Sequence, residues 1–301
     1  MLTFRPLSCS IAIAVVLAGA PSVGVAQRPA PSEAGILRVC TDPNNLPVSD
    51  SMNQGYENKI AQLIADTWHS KLEYVYWRQG FGYFNRGLNG LYCDVEISAP
   101  AGIDIVATTR PYYRSAYVIV YRKDSGLNIT SLDDPALKQL KIGVNMVGSD
   151  GDAGPPAAAL KSHGVVGNLV GFPTFYSDIN RPEDIIEAVA DKKVDIAIVW
   201  GPTAGYFAVK SSVPLVLNPI LADSATGIPF SYPIAMAVAR RNKALRDSLQ
   251  TFLDQNRTKI DGILKSFQVP LLPIAADSSR SATSPATGNS ASGVQSTSRG
   301  R

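Results

Sequence analysis

Along residues 36–270, short apolar runs alternate with segments of helical periodicity, and this alternation leaves only a small set of folds open. Ile36–Cys40 is a short apolar strand, and Tyr56–Thr67 follows with Ile60, Leu63 and Ile64 on one helical face. Leu72–Trp77 is rich in β-branched and aromatic residues and reads as a second strand. Tyr83–Leu91 reads as a helix and Asp94–Ser98 as a third strand. Strand, helix, strand, helix, strand predicts a doubly wound α/β unit on a parallel sheet. A second such run begins after the strand Tyr117–Tyr121 and a polar turn at Arg122–Gly126. It comprises Lys141–Asn145, a helix opening at Pro155–Leu160, a strand within Val165–Phe172, a helix at Pro182–Ala190 and a strand at Val194–Val199. Proline is tolerated in the first turn of a helix, which suits Pro155 and Pro156. Pro233–Ala239 is the last strand, and Asn242–Phe267 reads as one or two amphipathic helices.

The ends of the chain differ from this body. Arg5, the apolar stretch Ile11–Gly19 and the small residues of Gly24-Val25-Ala26 come in the order of a secretory signal, so the mature chain is expected to begin at Gln27. From 275 to 301 Ser, Ala, Thr and Gly dominate. Such a segment cannot bury enough apolar surface to offset its ordering entropy and is expected to be disordered. The formal charge of +3 comes from these ends. Without Arg5, Arg280, Arg299, Arg301 and Asp277 the body holds 24 basic and 24 acidic residues. A neutral body gives no reason to expect nucleic acid as partner, and no apolar run reaches the 18 residues a membrane span needs. Export to the periplasm would allow Cys40 and Cys93 to bridge. If their strands are parallel neighbours, however, the two residues fall at opposite strand ends, beyond the roughly 7 Å that a disulfide spans. A bridge and two free thiols both stay open.

Ligands in open α/β sheets bind at the carboxyl ends of strands. The loop Thr41-Asp42-Pro43-Asn44-Asn45-Leu46-Pro47 stands there, and Asp42, Asn44 and Asn45 are candidate ligands; Asp, Pro and Asn also favour turns on their own account. Residues 74–84 hold Tyr74, Tyr76, Trp77, Phe81, Tyr83 and Phe84. Tyr74 and Tyr76 are expected in the core, and Trp77, at the strand's end, beside a cleft. Tyr112 and Tyr113 lie between Arg110 and Arg114 and can face a cleft or hold a domain junction. His69 and His163 sit near helix C-termini, where capping outweighs catalysis. No nucleophile elbow, zinc-protease or phosphate-loop motif is present, so a hydrolase or nucleotide enzyme has no support. An enzymatic reading would rest only on Glu96 and Asp42, and the expectation is a non-enzymatic binder without cofactor. The acidic run 150–154 opens like a calcium loop, but Lys161 stands where that loop needs Glu, and the run is read as a turn. Glu96 breaks an otherwise apolar central strand and must be paired, protonated or at a cleft.

Leu37-Arg-Val-Cys-Thr-Asp-Pro43, Gly55-Tyr56-Glu57, Pro111–Ser115, Lys141–Val144 and Glu187–Trp200 resemble the family 3 periplasmic solute-binding proteins. The resemblance implies two α/β lobes, 36–116 plus 235–270 and 117–234, joined by two hinge crossings near Ala116–Tyr121 and Phe230–Met236, with ligand held between them. Amino-acid binders of that family place an Arg after the third-strand loop and an acid after the strand at 194–199. Here the loop Ser98–Asp104 has no Arg and Trp200 takes the acid's place, so a zwitterion finds no charge clamp. A narrower resemblance rests on Cys40–Pro47, Ala99-Pro100-Ala101-Gly102, Thr108–Ser115, Pro155–Leu160 and Val199–Tyr206. These are similar to the quinoprotein-dehydrogenase-associated group, the J proteins of methanol-oxidation gene clusters. This implies a periplasmic protein that binds a small ligand or docks to a PQQ-dependent alcohol dehydrogenase and its c-type cytochrome. A receptor for an ABC permease is the alternative. Carried over, the expected ligand-binding set is Asp42, Asn44, Asn45, Trp77, Pro100, Ala101, Gly102, Tyr112, Tyr113, Arg114, Trp200 and Gly201.

Overall fold

The computed structural model describes residues 35–78, 82–147 and 152–274. The expected leader, the expected disordered tail, Phe81 and the start of the acidic run at 150–151 lie outside the described residues. The first half of the chain forms β1 (Ile36–Thr41), β2 (Asn44–Asn45), β3 (Ser49–Asp50), α1 (Tyr56–Trp68), β4 (Lys71–Tyr76), β5 (Val95–Pro100), β6 (Ala107–Thr108) and β7 (Tyr113–Arg122). The next stretch forms β8 (Ile142–Val147), β9 (Asp152–Ala153), α2 (Pro155–Ser162), β10 (Leu169–Pro173), α3 (Asp184–Ala190), β11 (Ile196–Trp200), α4 (Gly201–Ala208) and β12 (Leu215–Ile220). β13 (Ser231–Val238), α5 (Lys243–Gln255) and α6 (Arg257–Ser266) complete it.

These strands make two α/β lobes. In one, β1 runs parallel between β4 and β5, and β13 lies antiparallel on the far side of β5. In the other, β8 runs parallel between β10 and β11, and β7 lies antiparallel beside β11. β12 adds to the other edge of β7. Two strands link the halves: Tyr113–Ala116 of β7 pair with Ser231–Ile234 of β13. β12 escapes the periodicity argument because Pro214 and Pro219 interrupt its apolar run. An edge strand tolerates the missing donor.

Each sheet is covered on both faces. Ile60 and Ile64 of α1 meet Leu249 and Phe252 of α5 and Ile260 and Leu264 of α6 over β1, β5 and β13. In the second lobe β7 divides its side chains by the strand's period of two. Ile119 and Tyr121 join the α2 side, while Val118 and Val120 join the α3 and α4 side. Tyr74 packs against the first core as expected, but Tyr76, at the strand end, is 41% exposed. His69 ends α1 in a left-handed conformation, and His163 ends α2 with Nε2 2.6 Å from an Asp223 carboxylate oxygen.

One expectation needs correction, and one question the sequence left open is answered. The stretch 83–91 is no regular α-helix, because residues 85–89 form a wider π-type turn. That turn presses Gly87 onto the sheet, where a Cβ would come within 2.5 Å of the Cys40 sulfur. Cys40 and Cys93 are also bridged, with Cα atoms 5.5 Å apart. The strands are parallel neighbours as supposed, with Cys40 level with Glu96. Cys93 is not in the strand, though. It lies in the descent from the π-type turn, its N–H donating to the Gly87 carbonyl at 3.4 Å, and so stands over the face of β1.

α4 shows how closely the elements approach. A Cβ at Gly205 would lie 2.2 Å from the Gln268 carbonyl oxygen, and one at Gly201 2.5 Å from that of Ala116. Backbone cannot yield as a flexible side chain does. Gly205→Ala should therefore destabilise by about 1–3 kcal/mol, lowering the melting temperature by several degrees. A thermal melt matching wild type would show that α4 does not pack against the 268–270 segment as described.

Candidate functional site

The carboxyl ends of β1, β5, β8 and β11 and the linking strands β7 and β13 converge on a cavity of about 480 Å³. This lies within the range of small-molecule sites. Its first-lobe floor begins at α1. The backbone of residues 48–49 passes close over the helix entrance, where a Cβ at Gly55 would sit 2.3 Å from the Val48 carbonyl. Glycine permits that approach and so delivers Tyr56 and Glu57, both 1% exposed, to the cavity.

Glu57 is a carboxyl in an apolar setting. Oε2 accepts from the Thr41 hydroxyl at 3.4 Å, and Oε1 has no hydrogen-bond partner. Burial pushes its pKa up to about 7, against the pull of the Ser98 and Thr41 hydroxyls. Glu96 lies beneath on β5, 1% exposed, and accepts from the Tyr83 hydroxyl at 2.6 Å through Oε2; its Oε1 is likewise unpartnered. Burial, then the neighbouring Glu57, hold Glu96 far above the usual carboxylate range. The sequence offered no partner for Glu96 because Tyr83, 13 residues earlier, meets it only once the helical stretch before the π-type turn packs on the sheet.

A chain of hydroxyls runs alongside. Tyr56 and Tyr113 hydroxyls are 3.1 Å apart, Tyr113 donates to Ser98 at 3.5 Å, and Tyr112 donates to the Ile97 carbonyl at 3.1 Å. Burial raises the pKa of all three tyrosines, so they stay neutral. The opposite wall is aromatic. Trp200 faces Tyr117 across the β11–β7 ladder, ring centroids 5.4 Å apart, and Tyr232 of β13 lies 6.1 Å from the Trp200 ring. Tyr176, Tyr83 and Phe84 add further rings, and Asn145, Thr174 and Thr203 supply polar groups. Beside Thr174, the Arg78 guanidinium sits 4.5 Å over the Phe175 ring.

Of the expected set, Asn45, Pro100, Tyr113 and Trp200 line this cavity. The others stand around it. Asp42 is buried and accepts from the Asn44 N–H at 3.0 Å; Asn44 pairs with Asp50 in the β2–β3 ladder. Ala101 N–H donates to the Pro233 carbonyl, and Gly102 N–H to the Thr108 hydroxyl. Tyr112 is buried behind Tyr113, Arg114 donates to the Ser231 hydroxyl at 2.7 Å, and Gly201 opens α4 against Ala116. Trp77 lies tilted against Tyr92, 5.6 Å between centroids, and is not in the cavity lining. Sequence reasoning missed Tyr117, Tyr176 and Tyr232, which no local motif marks. It passed over Glu57, although the Gly55-Tyr56-Glu57 entrance was in view.

No protein-family model matches the chain. It is 32% identical over 265 residues to Protein MoxJ of Methylorubrum extorquens, covering 83% of this chain and 86% of that one. Protein MoxJ of Paracoccus denitrificans is 31% identical over 274 residues, 85% of this chain and 96% of that one. Among solved structures, the periplasmic binding protein XoxJ of Methylobacterium extorquens matches with a TM-score of 0.65 and 35% identity, over 79% of this chain and all of that one.

Proposed function

The chain belongs to the MoxJ family of periplasmic binding proteins, and we propose from that premise that it is an exported, non-enzymatic accessory of alcohol oxidation. It binds a small ligand in the cleft and docks to a PQQ-dependent methanol or alcohol dehydrogenase, with the c-type cytochrome as a further partner. The observation that carries the ligand half is the cavity itself. It is lined by residues of both lobes, many of them rings, and holds one carboxyl whose Oε1 is unpartnered. The lobes, 36–116 plus 235–270 and 117–234, close around ligand by bending at 113–117 and 230–234, where β7 and β13 pass from one sheet to the other. A free amino acid is disfavoured, since no Lys or Arg among the described lining residues could meet its carboxylate.

The docking half rests on the family. Formal neutrality of residues 27–274 removes long-range steering, so association should depend little on ionic strength. Tyr112 and Tyr113 are each 2% exposed and act from inside rather than as surface anchors.

The test is dehydrogenase turnover with and without the purified mature protein, beside a periplasmic pull-down. Added protein should raise turnover and recover the dehydrogenase. Tyr113→Ala combined with Trp200→Ala, which opens the cleft at floor and wall, should remove most of that gain. Unchanged turnover with capture of an ABC permease would replace this reading with solute transport.

A further inference from the structure

The lining of the cleft has an unusual charge balance. Among the described lining residues eight are aromatic, Glu57 is the only ionisable carboxyl, and there is no Lys, Arg or His. An anionic ligand would lose its hydration there without gaining a counter-charge. Glu57 has the opposite need. It is 1% exposed, and its Oε1 receives no hydrogen bond. A buried carboxyl with an empty acceptor is costly unless a proton or a cation occupies it. A hard metal ion fits poorly, because no group of three or more candidate metal-ligating side chains exists among the described residues. Ring faces, by contrast, attract an organic cation through their quadrupoles. Tyr117, Trp200 and Tyr232 supply such faces, their centroids 5.4 to 6.5 Å apart.

We propose that the cleft is a site for a small organic cation of the alkylammonium class, with the Glu57 carboxylate as counter-charge and the Tyr117–Trp200–Tyr232 rings as its apolar wall. This rests on the reading of the cleft as a ligand site and adds the class of ligand. The groups facing Glu57 agree with the assignment. Asp42 comes from the loop after β1, Glu96 from β5, Tyr56 from α1, Tyr112 and Tyr113 from β7, and Tyr83 from the stretch before the π-type turn. With the Thr41 and Ser98 hydroxyls, these are acids and neutral groups, so no resident cation among the described residues facing Glu57 competes with the ligand. Because burial raises Glu57 to about 7, a bound cation displaces a proton, and affinity should fall about tenfold per pH unit below that value.

The experiment is calorimetric titration of the mature protein with choline and with tetramethylammonium. Controls are dimethylbutanol (the uncharged carbon isostere of choline), acetate, glycine and calcium. The expected result is binding of both cations with proton release below pH 7, and at least tenfold weaker binding of dimethylbutanol. Glu57→Gln should weaken choline about 100-fold, and Tyr232→Leu, which removes one ring of the apolar wall, about tenfold. Equal binding of choline and dimethylbutanol, or a preference for acetate, glycine or calcium, overturns the cation assignment while the cleft remains a ligand site. Absence of heat from every probe at millimolar concentration overturns the assignment and the ligand reading together.

Discussion

Removing the Cys40–Cys93 bridge should destabilise the protein by about 4 kcal/mol. The two cysteines lie 53 residues apart, so the bridge closes a long loop in the unfolded chain and removes much of its freedom. At about 2–4 °C per kcal/mol for a chain of this size, the melting temperature should fall by about 8–16 °C. The loss should also be felt in the cleft. The bridge packs with Tyr83 and Leu88 in one apolar cluster, and Tyr83 is the residue that donates to Glu96. Thermal melts of Cys40→Ala with Cys93→Ala, beside the reduced wild type, measure this. A shift under about 2 °C in both would show that the bridge contributes nothing to the native state.

Stability should fall as pH rises from 5 to 8, and Glu57 should be a principal cause. Its native pKa of about 7 lies above the ordinary 4.5, so between those values the native state holds a proton that the unfolded chain has released. Its contribution is fully present below about 4.5 and is lost as pH rises through 7; the difference is on the order of 3 kcal/mol. Glu96, displaced in the same direction by burial and by Glu57, adds a term of the same sign. Urea titrations at pH 5 and pH 8 give the slope directly. Glu57→Gln cannot ionise and should flatten much of it, gaining stability at pH 8 in particular. Identical pH slopes for wild type and variant would place the proton elsewhere. The same titration links to function, since a protein destabilised by an uncompensated Glu57 carboxylate regains that stability when a cation binds.

Much was legible in order along the chain. The strand–helix alternation, with Ile60, Leu63 and Ile64 on one face and Val194–Val199 as an apolar run, follows from local periodicity and burial, and it specified two α/β units. The motifs from Cys40 to Pro47 and from Val199 to Tyr206 carried the family resemblance, and the relatives bear it out. Asn45 was expected at a cleft from the rule that ligands gather at strand carboxyl ends, and Pro100, Tyr113 and Trp200 from the family resemblance; all four stand in the cavity lining.

Legible from neighbours within about a dozen residues were the elements and their faces; the missing charge clamp near Trp200 came from the family resemblance. Tertiary structure decided the rest. Cys93 reaches Cys40 because an irregular turn carries it over the sheet face, and no register argument between two strands contains that turn. Tyr83, on the other side of that turn, reaches Glu96 by the same packing of the turn on the sheet. Tyr117, Trp200 and Tyr232 meet because β7 pairs with β11 and with β13 at successive stretches, bringing together residues more than eighty and one hundred positions apart. Such pairings are chosen by the closing of the whole sheet, where burial of both faces selects one partner from many. That choice also left Glu57 in a ring-lined cavity with its charge unmatched.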